Sequence, residues 1–298
     1  MRHAASGPRR RSPVLLASLM ALSGCTPAGL LNGLDRLTPG GDGATRAARG
    51  IAYGPGQRQR LDVWVPVAKR GAGQKLPVVV FFYGGGWDSG SRGDYGFAGA
   101  AFASQGFVAV IPDYRLVPAV RFPAFVEDGA LAVKWARDHA GSFGGDPERI
   151  AVAGHSAGAY IGAMLVLDRR WLRQAGVQPD TIRAAALLAG PYDFAPFTEA
   201  RGRNAFGRWA NPQETQPVSF ARQDAPPLFL GHGTADRVVL PRNSRHLADR
   251  LQSAGAPVTL KLYPGASHTD LVVALSRPFR RKSSVLADSA AFLREQLR

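Results

Sequence analysis

From Ile51 onward, short apolar runs alternate with longer segments of helical period. Arg60–Val65 alternates polar and apolar positions, as a half-buried strand does, and Pro66 ends it. Val78–Phe82 is continuously apolar, as expected of a strand covered on both faces. Phe107–Ile111 repeats that pattern between Gly106 and Pro112. Pro123–Ala140 then carries Phe125, Ala132, Val133 and Trp135 at helical spacing. Asp146-Pro147-Glu148 reads as a turn, followed by a strand over Ile150–Ala153 and a helix over Ala157–Leu167. Ala184–Ala189, Leu228–Leu230 and Val258–Tyr263 predict three further strands. Leu247 and Leu251 mark an amphipathic helix between the last two, and Ser284–Leu297 predicts a closing helix. The alternation predicts an α/β fold: a mostly parallel sheet of about 7–8 strands, with helices on both faces.

Two stretches depart from this rhythm. Tyr192–Asp224 has scattered aromatics and no clean period, and a structureless loop of that length is uncommon in a compact domain. It is expected to be a small cap or lid over the sheet. At the other end, Arg2, Arg9, Arg10 and Arg11 precede the apolar run Val14 to Leu22. As a helix that run would span about 14 Å, against a bilayer core of roughly 30 Å. Residues 1–24 therefore read as a signal peptide. Leu22-Ser23-Gly24-Cys25 resembles the bacterial lipobox, in which the cysteine becomes the lipid-bearing first residue of the mature chain. Lipid at Cys25 would hold the protein to a membrane surface of the bacterial cell envelope, on the outer-membrane side in a Gram-negative host. Residues 25–50, rich in Gly, Ala, Thr and Arg, read as a flexible tether, with the folded domain over 51–298.

Composition sharpens these expectations. The chain of 298 residues is 45% hydrophobic and 20% charged, which excludes disordered and fibrous classes. Its single cysteine excludes an intrachain disulfide and any multi-cysteine metal site. The formal charge of +15 suggests nucleic acid at first sight. Four of the arginines lie in the leader, however, and the rest are scattered apart from Arg277, Arg280, Arg281 and Lys282. No aromatic-interleaved groove accompanies them, so no nucleic-acid partner is expected. A basic surface on a tethered protein would suit anionic lipid or polysaccharide.

Chemistry concentrates just after strands, where open α/β sheets bind ligands. Gly154-His155-Ser156-Ala157-Gly158 stands between a strand and a helix, the context of a G-x-S-x-G nucleophile elbow. Tyr83-Gly84-Gly85-Gly86-Trp87 follows the Val78–Phe82 strand, and consecutive glycines let backbone N–H groups face one spot, as an oxyanion hole requires. A serine nucleophile needs a base, and the base needs a carboxylate, in the chain order Ser, Asp/Glu, His. His268 follows the last strand in a glycine-containing loop, whereas His246 falls on a helix and His232 leaves no suitable acid before it. Asp236, just past Leu228–Leu230, is the expected acid ahead of Asp193, Asp249 and Asp270. No residue set resembles a metal site, a P-loop or a dinucleotide fingerprint, so no metal or cofactor is expected.

Together with Asp113-Tyr114-Arg115-Leu116 and Phe122-Pro123-Ala124, these motifs resemble the α/β-hydrolase superfamily over roughly residues 51–297, and within it the hormone-sensitive-lipase-like esterases. The resemblance implies hydrolysis of carboxylic esters with small acyl groups through an acyl-serine. It also implies Gly85, Gly86 and Ala157 as oxyanion donors. Tyr83 stands where that group usually has histidine, and His155 where it often has aspartate. His155, with Gly-Gly-Trp, is more similar to arylformamidases and related small-acyl or feruloyl-type esterases. Trp87, Tyr192 and Phe194 are expected to shape the substrate pocket. Two alternatives stand beside the esterase: an arylformamidase-type amide hydrolase, and a catalytically inactive surface-binding protein on the same fold.

Overall fold

A computed structural model of the chain describes residues 27–38, 43–67 and 74–298. The expected signal peptide and Cys25 lie outside the described residues. Eight strands form one sheet in the order β1-β2-β4-β3-β5-β6-β7-β8. They are β1 (Ala44–Ala52), β2 (Arg60–Pro66), β3 (Leu76–Phe82), β4 (Val108–Pro112), β5 (Gly145–His155), β6 (Ile182–Leu188), β7 (Leu228–Gly233) and β8 (Val258–Tyr263). β1 and β2 run antiparallel, and β3 to β8 run parallel, which gives the expected mostly parallel sheet. β3 lies near the centre because Val78 to Phe82 offers apolar side chains to both faces, and all of them are buried. The Asp146–Glu148 turn falls inside β5, where the register with β3 slips between Leu76↔Gly145 and Val78↔Ile150. There Asp146 Oδ1 accepts the Glu148 N–H at 3.1 Å.

The helices are α1 (Pro27–Leu37), α2 (Gly96–Ser104), α3 (Ala124–His139), α4 (Ala157–Leu167), α5 (Arg170–Gln174), α6 (Ala200–Phe206), α7 (Arg242–Ser253), α8 (Asp270–Val273) and α9 (Val285–Gln296). α3 and α4 pack on each other and on β5, while α2 and α9 pack together. α4 is buried at every position, so it shows no amphipathic stripe.

Where it is described, over residues 27–38 and 43–50, the segment before Ile51 is not the tether that its composition suggested. α1 packs Ala28 and Leu31 against the core, and Asn32 Nδ2 donates to the Gly93 carbonyl at 2.7 Å. β1 is an edge strand paired to β2 from Ala44↔Pro66 onward. Its apolar residues are mostly alanines, which give a weak periodic signal. Ala48 and Ile51 pack against the core, and the Arg46 guanidinium lies 5.5 Å from the Trp64 ring centroid and 3.3 Å from Asp62. Hydropathy does not count an arginine stem as apolar surface, although it behaves as one.

The stretch Tyr192–Asp224 contains α6 and two 3₁₀ turns, Pro212–Thr215 and Pro217–Phe220. Phe206 anchors it in the core, and the Tyr160 hydroxyl donates to the Thr215 carbonyl at 2.8 Å. Gln216 is fully buried and stitches the segment together. Its Oε1 accepts from the N–H groups of Phe194 (2.7 Å) and Ala195 (3.2 Å), and its Nε2 donates to Thr215 Oγ1 at 2.7 Å. Gln216→Leu leaves the half-buried N–H groups of Phe194 and Ala195 unpaired. The expected outcome is a loss of about 2 kcal/mol, read as a fall of several degrees in the melting temperature.

Candidate active site

β5 ends at His155 and α4 begins at Ala157, so Ser156 alone makes the turn. Its backbone sits at φ 55°, ψ −121°, a left-handed conformation uncommon for a residue with a side chain. The turn closes because its flanks lack side chains. A Cβ on Gly158 would lie 2.0 Å from the Phe82 carbonyl oxygen, and one on Gly154 would lie 2.6 Å from the Gly158 backbone. This close crossing sets α4 directly behind the end of β3.

Ser156, His268 and Asp236 come together as the sequence order anticipated. His268 Nε2 lies 2.9 Å from Ser156 Oγ, and His268 Nδ1 lies 2.7 Å from Asp236 Oδ2. A carboxylate accepts, so Nδ1 carries the proton and Nε2 is left to accept from the serine hydroxyl. Asp236 Oδ1 accepts the N–H groups of Val238 and Val239, each at 2.9 Å. Burial alone would raise its carboxyl, but hydrogen bonds from His232 and His268 and the Val239 N–H outweigh it. Asp236 is held well below the usual carboxylate range.

The rivals are placed elsewhere. His246 meets Asp193 at 2.9 Å near the surface, and Asp249 is exposed on α7. Asp270 accepts the N–H of Ser267 at 2.7 Å and its hydroxyl at 2.6 Å.

The glycine-rich loop leaves β3 beside Ser156, where a Cβ on Gly84 would lie 3.1 Å from Ser156 Cβ. Gly85 has φ 136°, and its carbonyl accepts from Asp88 N–H, Ser89 N–H and Ser89 Oγ at 3.2, 3.1 and 2.8 Å. Among the described residues, the N–H groups of Gly85 and Gly86 donate to no protein acceptor. The Ala157 N–H, at the first position of α4, has no partner within its helix.

Tyr83 braces this loop from beneath. Its hydroxyl donates to Asp113 Oδ1 at 2.9 Å and accepts from Arg58 Nη2 at 2.9 Å. Burial, then the neighbouring Tyr114 and Asp113, push the phenol well above its ordinary value near 10, so it remains a donor. Asp113 also binds the Arg92 N–H at 2.6 Å and the Arg92 guanidinium, which reaches on to Asp62 at 2.9 Å.

Trp87 and Phe194 stack at 6.0 Å, with Phe206 edge-on to Trp87 at 4.8 Å. Tyr192 does not join this wall. It is fully buried against Gly190, and its N–H is held by Asn243 Oδ1 at 2.9 Å.

Two histidines near the triad have roles that sequence reasoning did not assign. His232 is fully buried behind Asp236, with Nε2 lying 3.2 Å from Asp236 Oδ2 and 2.8 Å from the Val239 carbonyl. Both partners accept, so Nε2 carries the proton, and the Ser244 hydroxyl donates to Nδ1 at 2.7 Å. His155 Nε2 lies 2.9 Å from the His268 carbonyl oxygen, and the two rings are 4.8 Å apart. A carbonyl only accepts, so His155 donates through Nε2, while its Nδ1 faces Gly84 without a hydrogen-bond partner. Burial first, then the adjacent His268, lowers His155 from about 6.5 to about 3. The one available signal was position: each histidine stands at or next to a strand end beside a triad residue.

With these geometries in place, comparison with known proteins is informative. The BD-FAE family model matches residues 61–251, and the chain belongs to that family. It is 31% identical over 250 residues to a probable isoprenylcysteine alpha-carbonyl methylesterase, ICMEL1, of Oryza sativa subsp. japonica, covering 76% of this chain and 58% of the relative. It is 32% identical over 239 residues to Esterase LipC of Mycobacterium tuberculosis, covering 74% and 59%. The chain thus spans about three fifths of the length of the curated relatives it matches. Thermogutta terrifontis esterase 2 phosphonylated by sarin superposes with a TM-score of 0.71 at 26% identity, covering 84% of this chain and 95% of that one. The sheet and these neighbours give the α/β-hydrolase fold.

The low value at His155 sets the sign of that residue's own contribution to stability against pH. Its folded value lies below the unfolded one, so its contribution is intact above about 6.5 and is lost as pH falls toward about 3. Urea titrations across that window should show the wild type losing stability more steeply than a variant without this titration, by up to about 1.4 kcal/mol per pH unit. His155→Gln, which keeps a donor and removes the titration, should flatten this slope.

Proposed function

From membership of the BD-FAE family and this site, we propose that the chain is a serine hydrolase cleaving carboxylic esters of small acyl groups. The observation that carries the reading is the unbroken line Ser156–His268–Asp236 beside the unengaged N–H groups of Gly85 and Gly86. Ser156 Oγ attacks the ester carbonyl while His268 Nε2 takes its proton, and Asp236 stabilises the imidazolium. The N–H groups of Gly85, Gly86 and Ala157 receive the oxyanion, each worth about 10²–10³ in rate. His268 then protonates the leaving alcohol. Water, deprotonated by His268, attacks the acyl-serine and releases the acid. The cycle needs no cofactor.

His155 keeps His268 in register by holding its main-chain carbonyl, and being neutral it does not oppose the charge His268 gains. Trp87 and the half-buried Phe194 stacked on it are assigned to the acyl side of the site. The name of the rice relative, a methylesterase, and that of the mycobacterial esterase agree with ester cleavage. The sequence Leu22-Ser23-Gly24-Cys25 supports lipidation at Cys25 and a place on the bacterial envelope membrane.

A fluorophosphonate probe should label the wild type and leave Ser156→Ala unlabelled. An unlabelled wild type would instead favour a surface-binding protein without catalysis. Asp236→Asn should lower kcat by about 10⁴-fold at unchanged fold. Turnover of short p-nitrophenyl esters should exceed that of feruloyl esters and of N-formylkynurenine, and the reverse order for the formyl amide would point to an arylformamidase.

A further inference from the structure

We propose that α1 and the turn Arg277–Lys282 together form a docking face for an anionic lipid bilayer. This goes beyond the hydrolase reading and rests on the anchoring of Cys25 only for which surface meets the face. α1 has two sides. Ala28 and Leu31 pack inward, and Asn32 and Asp35 make its polar contacts with the body of the protein. On the other side Leu30, Leu34 and Leu37 are 48%, 42% and 81% exposed, at the i, i+4, i+7 spacing of a helical stripe. Isolated exposed leucines need no explanation, but a row of three along one helix does.

The charge beside this stripe decides what covers it. Asp35, only 4% exposed, accepts the Arg277 N–H at 2.6 Å, and its main-chain carbonyl accepts from the Arg277 guanidinium. These bonds fasten the basic turn to the helix. They also consume the only acid within Pro27–Leu37. Further along the turn, Arg281 and Lys282 are exposed, and Lys282 Nζ lies 4.9 Å over the Phe279 ring. An apolar helical stripe, with a basic turn fastened to the same helix and the helix's acid turned inward, matches the interfacial zone of an anionic bilayer.

Position in the chain selects a bilayer over a protein partner. Cys25 stands two residues before Pro27, a reach of at most about 7 Å, so acyl chains there bring the start of α1 to the headgroups. The helix then lies along the surface and does not span it. No helix among the described residues is long and apolar enough to cross.

The test places an environment-sensitive fluorophore at Leu34→Cys in the full chain, with Asp180→Cys, at the amino end of β6, as the control. Acylated Cys25 leaves the new thiol as the reactive one; where intact mass shows Cys25 bare, a Cys25→Ser background carries the same probe. In vesicles containing phosphatidylglycerol, the label at 34 should shift to the blue and be quenched by doxyl lipids, while the label at 180 does not respond. Arg281→Glu with Lys282→Glu should abolish the excess shift over phosphatidylcholine vesicles, with turnover of a soluble ester confirming the fold. A label at 34 that behaves like the one at 180 overturns the proposal even if mass shows lipid on Cys25. A shift with Cys25 bare refutes the anchor and keeps the face. A shift that instead follows protein concentration without vesicles assigns the face to a second copy and also overturns the proposal.

Discussion

The crossing of α4 over the end of β3 is the contact on which the site depends. Gly158 approaches the Phe82 carbonyl so closely that no side chain could stand there. That approach forces the chain to reverse within one residue, puts Ser156 at positive φ and aims the first turn of α4 at the glycine loop leaving β3. The nucleophile and the loop therefore belong to adjacent strands held by one backbone contact. That contact fixes where Ser156 stands relative to the glycine loop.

Around this contact the protein uses buried hydrogen bonds to hold the moving parts still. The loop after β8 is the least regular element of the triad, and His155 fastens it by gripping the His268 main chain from the adjacent elbow. Asp236 is fixed by two N–H groups on one oxygen and by two histidines on the other. Tyr83 ties the glycine loop to Asp113, and Arg92 ties Asp113 to Asp62 on β2. Each of these groups would be costly to bury alone. Paired, they rigidify the site.

Much of the framework was legible because it is written in short-range patterns. Val78–Phe82 could only be a strand covered on both faces, and the G-x-S-x-G context followed from the strand before it and the helix after it. Other features resisted. β1 was hidden because its apolar positions are mostly alanines, and α1 because a short helix that leaves Leu30, Leu34 and Leu37 exposed looks like linker. Tyr192 was expected to help shape the substrate pocket, yet its ring is fully buried against Gly190.

By itself, then, the sequence determined the seven strands from β2 to β8 and the elbow at Ser156, and it pointed to Asp236 and His268 as that serine's partners. Periodicity and turn chemistry act over a few residues, so a single chain records them. Only the tertiary structure decided which histidines serve the triad without belonging to it, since His155 and the carbonyl it holds are 113 residues apart. It likewise decided that a basic turn near the end of the chain lies against a helix near its beginning, a pairing set by Asp35 and Arg277 across 242 residues. Such partners are chosen by the packing of the whole sheet, and no local pattern along the chain encodes them.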